Sequence, residues 1–270
     1  MPLAVCATPI GNLDDVTLRV LAELREADVV LCEDTRRTRI LLERHGITAR
    51  LVSYHRHNEA SREREVLDRL ERGERVALVS DAGLPGVNDP GAHLIRAAAG
   101  AGLPVTVLPG PSAVETALVV SGVSADRYEF LGYLPRKTGE LRALARALRS
   151  WDGASVAFES PRRLPTSLAV LAEELPGRPA AVCRELTKKF EEVVRGPVED
   201  LARRFAEAPL GEVTLVLGPA VGDTGGPSVG EGALEAVGEL VTAGASRRTA
   251  ADVVARLTGA SKNDLYRGSL

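Results

Sequence analysis

The 270-residue chain lacks the features that mark several large classes of protein. Its three cysteines, Cys6, Cys32 and Cys183, lie far apart, each in an apolar run, with no Cys-x-x-Cys pair. Such a set argues against a disulfide framework or a zinc site and for reduced thiols in a core. Aromatic residues make up only 3% of the chain, which leaves few surfaces on which single-stranded bases could stack. No apolar run approaches the roughly 18 residues of a membrane-spanning helix. The opening Met1-Pro2-Leu3-Ala4-Val5-Cys6 has no basic stretch or cleavage pattern, so a cytoplasmic location is expected. The net charge is −3, from 34 Lys and Arg against 37 Asp and Glu. That excludes a generic nucleic-acid coat while leaving room for local basic patches. Neither Gly-x-Gly-x-x-Gly after a strand nor Gly-x-x-x-x-Gly-Lys-Ser/Thr occurs, so no Rossmann dinucleotide site or P-loop is expected.

What is present is an ordinary globular balance, 44% hydrophobic and 26% charged. At roughly 150 residues per domain the length suits two domains and a small appendage. Apolar runs at 3–8, 28–32, 76–79 and 105–108 read as strands. Helical spacing recurs in Val16, Val20, Leu21 and Leu24, with Asp14 or Asp15 placed to cap, and again over 36–45 and 58–72. Strands this apolar, separated by helices, predict a mostly parallel sheet covered on both faces, within a domain spanning 1–118.

A second α/β domain is expected over 119–220. Its strands fall at 128–131, 155–158, 180–184, 191–195 and 213–217, and its helices near 141–148, 164–175 and 198–206. The stretch 218–232, with six Gly and two Pro, has linker composition. Beyond it, a helical module over 231–270 is expected. Leu234, Val237, Leu240 and Val241 form one stripe, Thr249-x-x-Asp252 opens a second helix, and Ser261-x-x-Asp264 opens a third. The arrangement resembles a helix-turn-helix unit. Residues 245–270 carry five Lys or Arg, including Arg247, Arg248 and Lys262, against two Asp. These, with Asn263, are expected to contact nucleic acid, the plainer reading being a packing or dimerisation tail.

Four loops follow strands at one sheet edge, where open α/β sheets bind ligands. They are Thr8-Pro9-Ile10-Gly11-Asn12, Glu33-Asp34-Thr35-Arg36, Ser80-Asp81-Ala82-Gly83-Leu84-Pro85-Gly86 and Pro109-Gly110-Pro111-Ser112-Ala113. Together they point to a small-molecule site. In the second domain, Glu159-Ser160-Pro161-Arg162-Arg163 and Arg184-Glu185-Leu186-Thr187-Lys188-Lys189 also follow strands and are expected to face the cleft. Arg136, Lys137, Arg142, Arg146 and Arg149 form a basic segment that suggests phosphate contact. His55-x-His57 has no third partner at metal-binding spacing, and no metal is expected.

In this order, the loops resemble the tetrapyrrole methylase superfamily. More narrowly they resemble its bacterial small-subunit rRNA cytidine 2′-O-methyltransferases. Further residues carrying the likeness are Ser53-Tyr54-His55-x-His57-Asn58-Glu59, Asp89-Pro90-Gly91 and Lys262-Asn263-x-Leu265-Tyr266. Gly86-Val87-Asn88 departs from it, since relatives more often have a β-branched residue, Ser and Asp there. The resemblance implies S-adenosylmethionine held between two α/β domains by Pro9, Gly11, Asp81, Ala82, Gly83, Ser112, Ala113, Glu159 and Val213. It implies 16S rRNA as substrate, within the 30S subunit, met by Arg36, Arg136, Lys137, Lys189 and the tail, and a homodimer. A tetrapyrrole methyltransferase is the alternative. Among residues able to serve transfer to a ribose hydroxyl, Lys188 and then Glu185 are the expected catalytic groups. Lys188 would act either as a base of depressed pKa or as a charged stabiliser of the alkoxide.

Overall fold

The computed structural model describes residues 2–220 and 231–269. Most of the expected linker falls on residues 221–230 and lies outside the described residues. Five short strands, β1 (Leu3–Cys6), β2 (Val29–Cys32), β3 (Leu51–Ser53), β4 (Val76–Val79) and β5 (Val105–Leu108), form a wholly parallel sheet ordered β3-β2-β4-β1-β5. Helices α1 (Leu18–Glu26) and α2 (Thr35–Arg44) cover one face, and α3 (Glu59–Glu71) and α4 (Ala92–Gly100) the other. Each strand divides its apolar run between them: Ala4 and Cys6 pack with Leu24 and Leu42, Leu3 and Val5 with Leu70 and Leu94. Burial on both faces is why β1, β2 and β4 show no polar alternation.

Asp14 and Asp15 do not cap the first helix. They sit in a 3-10 turn, Leu13–Asp15, and Thr17 caps α1, its hydroxyl accepting from the Val20 N–H. Strand β3 and helix α4 had no counterpart among the expected elements; β3 is three half-buried residues at the sheet edge, too short to show a period.

The second sheet is mixed. Its strands, β6 (Tyr128–Tyr133), β7 (Ala154–Glu159), β8 (Pro179–Arg184), β9 (Glu192–Pro197) and β10 (Val213–Leu217), are ordered β6-β7-β10-β8-β9, with β6 and β7 parallel and the other pairs antiparallel. Helix α5 (Ala113–Ser121) packs Val114 and Ala117 against Val156, Ala181 and Val216 on one face. The expected boundary at 118/119 therefore cuts a helix that packs on the second sheet. On the opposite face lie α6 (Thr138–Leu148), α7 (Leu164–Glu174) and α8 (Val198–Arg204).

Here one expectation is corrected. Arg142, Arg146 and Arg149 close on the buried carboxylate of Glu174 in α7, at 3.1, 3.0 and 2.7 Å. They tie α6 and the residue after it to α7, so part of their charge is spent within the fold and not on an open stripe.

The tail is a three-helix unit, α9 (Glu231–Thr242), α10 (Arg247–Thr258) and α11 (Lys262–Gly268), around Val237, Ala251, Val254 and Leu265. Helix α10 starts earlier than expected: Ser246 is its cap and accepts from the Thr249 N–H, while Ser261 makes no side-chain cap bond to α11. Among the described residues, no helix is long and apolar enough to cross a membrane. All three cysteines are buried and free, and burial pushes the Cys6 and Cys183 thiols up to about 12.

Candidate active site

The loops after β1 and β4, neighbouring strands, are stitched together. Thr8 N–H donates to Gly83 O at 2.8 Å, Gly83 N–H to Thr8 O at 3.0 Å, and the Thr8 hydroxyl to Ser80 O at 3.0 Å. Gly83 has φ 76°, a left-handed conformation that glycine adopts without a Cβ penalty. In front of this stitch lies a cavity of about 280 Å³, lined by Pro9, Gly11, Asp81 and Ala82, by Arg37 and Ile40 of α2, and by Lys188 and Glu212 of the second unit.

The far wall is a strained loop. Glu185 and Thr187 hold φ 53° and 65°, unusual for residues with a Cβ and the kind of backbone cost found at functional sites. The loop is over-determined by its bonds. The Glu185 carboxylate accepts from the Glu212 N–H and from the Lys188 ammonium, each at 2.9 Å, and Lys188 also reaches the Glu212 carboxylate at 3.0 Å. The Thr187 N–H donates to Glu191 at 2.6 Å, and its hydroxyl accepts from the Asn12 N–H at 3.0 Å. Burial alone would lower the Lys188 pKa, but its bonds to Glu185 and Glu212 outweigh it and leave the group raised. The Lys188 bond, foremost, lowers the Glu185 carboxyl. Of the two roles expected of Lys188, this setting favours the charged one: it stands at the cavity as an ammonium.

The opposite rim is rich in carboxylates. Asp81 accepts from the Asp34 N–H at 3.0 Å and lies 3.5 Å from the Arg37 guanidinium. Burial, then the charges of Glu33 and Asp81, push Asp89 up to about 6, while Arg56 pulls the other way. Burial also raises Glu33. The rings of His55 and His57 lie 5.9 Å apart, edge to face. The described residues include no group of three or more His, Cys, Asp or Glu able to hold a metal.

The cavity lining thus brings together Pro9, Gly11, Asp81, Ala82 and Lys188 of the expected residues, with Gly83 bonded just behind and Glu185 bonded to Lys188. Ser112 and Ala113 open α5 outside that lining, the Ser112 hydroxyl bonding Glu115. Glu159 is buried, bonded to the Ser160 N–H, Arg163 and Ser167, and Val213 is its cross-strand partner, with its side chain in the core under α6 to α8. A ligand could therefore reach these two only through backbone. Arg36 turns outward, 85% exposed and paired to Asp34 at 2.7 Å. Arg136 is exposed, Lys137 pairs with Glu140 at 3.0 Å, and Lys189 sits over the Phe190 ring. In the tail, Arg248 is exposed, Arg247 half-buried, and Lys262 pairs with Asp252; the Asn263 side chain lies outside the described residues.

Sequence reasoning missed Arg37 and Glu212. Arg37, Ile40 and Leu41 fall at i, i+3 and i+4, so one face of α2 turns to the cavity, and that spacing was the available signal. Glu212 precedes its strand, but β10 runs antiparallel to β7 and β8, which brings its amino end to their carboxyl ends.

A parallel sheet joined to a mixed sheet, with a crevice of strand-end loops closed by a loop of the second unit, defines a class of methyltransferase. Residues 2–202 match the family of tetrapyrrole (corrin/porphyrin) methylases, and the chain belongs to that family. Among curated relatives, ribosomal RNA small subunit methyltransferase I of Mesorhizobium japonicum is 43% identical over 98% of this chain and 90% of its own length. The protein of that name from Mycobacterium tuberculosis is 48% identical over 81% of this chain and 78% of its own. Among solved structures, uroporphyrin-III C-methyltransferase from Thermus thermophilus, complexed with S-adenosylhomocysteine, superposes with TM-score 0.57 at 20% identity, covering 82% of this chain and 99% of that one.

Proposed function

We propose that this protein transfers a methyl group from S-adenosylmethionine to the 2′-hydroxyl of a cytidine in the decoding region of 16S rRNA. The observation that carries this reading is the Lys188 ammonium, fixed by two carboxylates at the wall of the strand-end cavity. The relatives' name, small-subunit rRNA methyltransferase, supports the substrate class. We further propose that the two α/β units, 1–118 and 119–220 but with the whole of α5 in the second, form the donor crevice, that 231–270 contacts RNA, and that the protein acts as a cytoplasmic homodimer on the 30S subunit.

The cavity suits a donor bearing both a cationic centre and a carboxylate, since its lining carries Asp81 and Arg37, 3.5 Å apart, with Lys188 and Glu212 from the second unit. Pro9, Gly11, Asp81, Ala82 and Gly83 would hold it, with Ser112, Ala113, Glu159 and Val213 extending the site through backbone. Bound there, S-adenosylmethionine supplies an electrophilic methyl group. The chain's own part is to place the ribose hydroxyl and manage its proton. Proximity and alignment are the first contribution. Lys188 donates a hydrogen bond to the hydroxyl oxygen and stabilises negative charge as it develops, which a preorganised ammonium does without reorganising. Glu212, bonded to the same ammonium and open to solvent, receives the proton. Incubating labelled S-adenosylmethionine with small ribosomal subunits and, separately, with precorrins tests the reading. Label on rRNA alone supports it; label on the tetrapyrrole alone overturns it.

A further inference from the structure

Aromatic rings are scarce in this chain, yet Tyr133 lies 65% exposed at the carboxyl end of β6. Its position is not an accident of a frayed strand. The pairing of β6 with β7 slips between Phe130 and Tyr133, and Gly132 within the slip holds φ 68°. Bulges of this kind re-aim a side chain, and they concentrate beside active sites. The slip is braced from the first unit. The Asn88 side chain lies 3.1 Å from where a Cβ on Gly132 would be, and Asn88 itself adopts φ 63°, which asparagine tolerates better than most residues. The ring is backed from one side: Tyr133 meets Phe158 edge-on at 5.6 Å, and Phe158 meets Phe130 at 5.0 Å. Such contacts fix the plane of the ring while leaving surface to solvent.

The register places this ring relative to the chemistry. Tyr133 pairs with Phe158, Phe158 with Thr214, and Thr214 lies two residues from Glu212, a partner of Lys188. Two strand spacings of about 4.8 Å separate Tyr133 from β10, a span that one nucleoside bridges. Charged groups of both units face the tyrosine. Partial burial, then Glu212 and Asp89, raise its hydroxyl, and Arg56 opposes them. A fixed, exposed ring two strand spacings from the strand that Glu212 leads into, with charged groups of both units around it, has the chemistry of a base-stacking surface.

We propose that Tyr133 is the platform on which the base of the target nucleotide stacks while its ribose reaches Lys188. The proposal rests on the rRNA reading above and adds the residue that seats the nucleotide. Stacking uses the ring face and not the hydroxyl, so Phe and Trp should substitute where aliphatic residues fail.

The test is methyl transfer to small ribosomal subunits by full-length wild type and by Tyr133→Phe, Tyr133→Trp, Tyr133→Leu and Tyr133→Ala, with donor affinity measured by calorimetry. The Leu and Ala variants should lose about 5- to 100-fold in kcat/KM for the subunit, the range of a lost base–aromatic stack. Donor affinity and Tm should stay at wild-type values, and Phe and Trp should restore activity. Leu or Ala variants as active as wild type would overturn the platform. So would a Phe variant as impaired as Leu, which would assign the role to the hydroxyl. An inactive wild-type protein would overturn the rRNA reading itself, a distinct result.

Discussion

Gly11 and Lys188 meet so closely across the two units that a Cβ on Gly11 would lie 2.6 Å from Lys188 Cγ. The same Cβ would lie 2.6 Å from Thr187 Oγ1 and 2.8 Å from the Leu186 carbonyl oxygen, so the loop as a whole would have to withdraw. The glycine acts here by its size. Gly11→Ala should keep the fold and cost about 100-fold in turnover, as a displacement of roughly 1 Å does. Circular dichroism and single-turnover methyl transfer check the two halves of that statement. Wild-type turnover would show that the contact is not needed.

Lys188→Met removes the charge at nearly constant volume. Loss of one preorganised donor should lower the single-turnover rate by about 100- to 1,000-fold, with donor affinity changed by far less. Because Glu185 and Glu212 raise the Lys188 pKa, the wild-type rate should not fall on the alkaline side until pH passes the ordinary lysine range. Glu212→Gln should lower the rate, since it removes the proton acceptor, and bring that fall to lower pH, as a pH–rate profile would show.

Asp89 links stability to pH. Its folded pKa, about 6, lies above the ordinary aspartate value of 3.8, so the folded state binds its proton more tightly than the unfolded state. Stability from this group is therefore full below the unfolded pKa and falls as pH rises through the folded one. Discounted for screening, Asp89→Asn should add about 1 kcal/mol at pH 7.5 and nothing at pH 4. Urea midpoints at the two pH values measure this.

Glu174→Leu should leave three guanidiniums facing one another and lower Tm by about 5 °C. Arg146→Ala should leave the salt dependence of rRNA binding unchanged, because that arginine is tied to Glu174. Arg136→Ala should instead reduce the slope of log affinity against log salt by about 1, the effect of a lost phosphate contact. Filter binding across a salt series distinguishes them.

The layers of the fold were legible because β1, β2 and β4 are buried on both faces and read as unbroken apolar runs. Three of the four strand-end loops were legible because Pro and Gly punctuate them. What a linear pattern does not carry is the phase of a polar side chain. Arg36 and Arg37 are adjacent and chemically alike, yet helix α2 turns only the second to the cavity. Glu212 was hidden because its importance comes from an antiparallel neighbour, and strand direction is set by topology far along the chain. The arginines of α6 looked like an RNA surface because Glu174, which pairs with them, lies some thirty residues away in sequence.

The central claim is that a donor held by the strand-end loops methylates a ribose presented beside Lys188. Its most direct test is a single-turnover reaction of the purified protein, labelled S-adenosylmethionine and small ribosomal subunits, followed by nuclease digestion and mass analysis of the labelled nucleoside. The account predicts label on the 2′-oxygen of a cytidine, appearing about 100- to 1,000-fold more slowly in Lys188→Met; label on a base carbon or nitrogen, or none on rRNA, would contradict it.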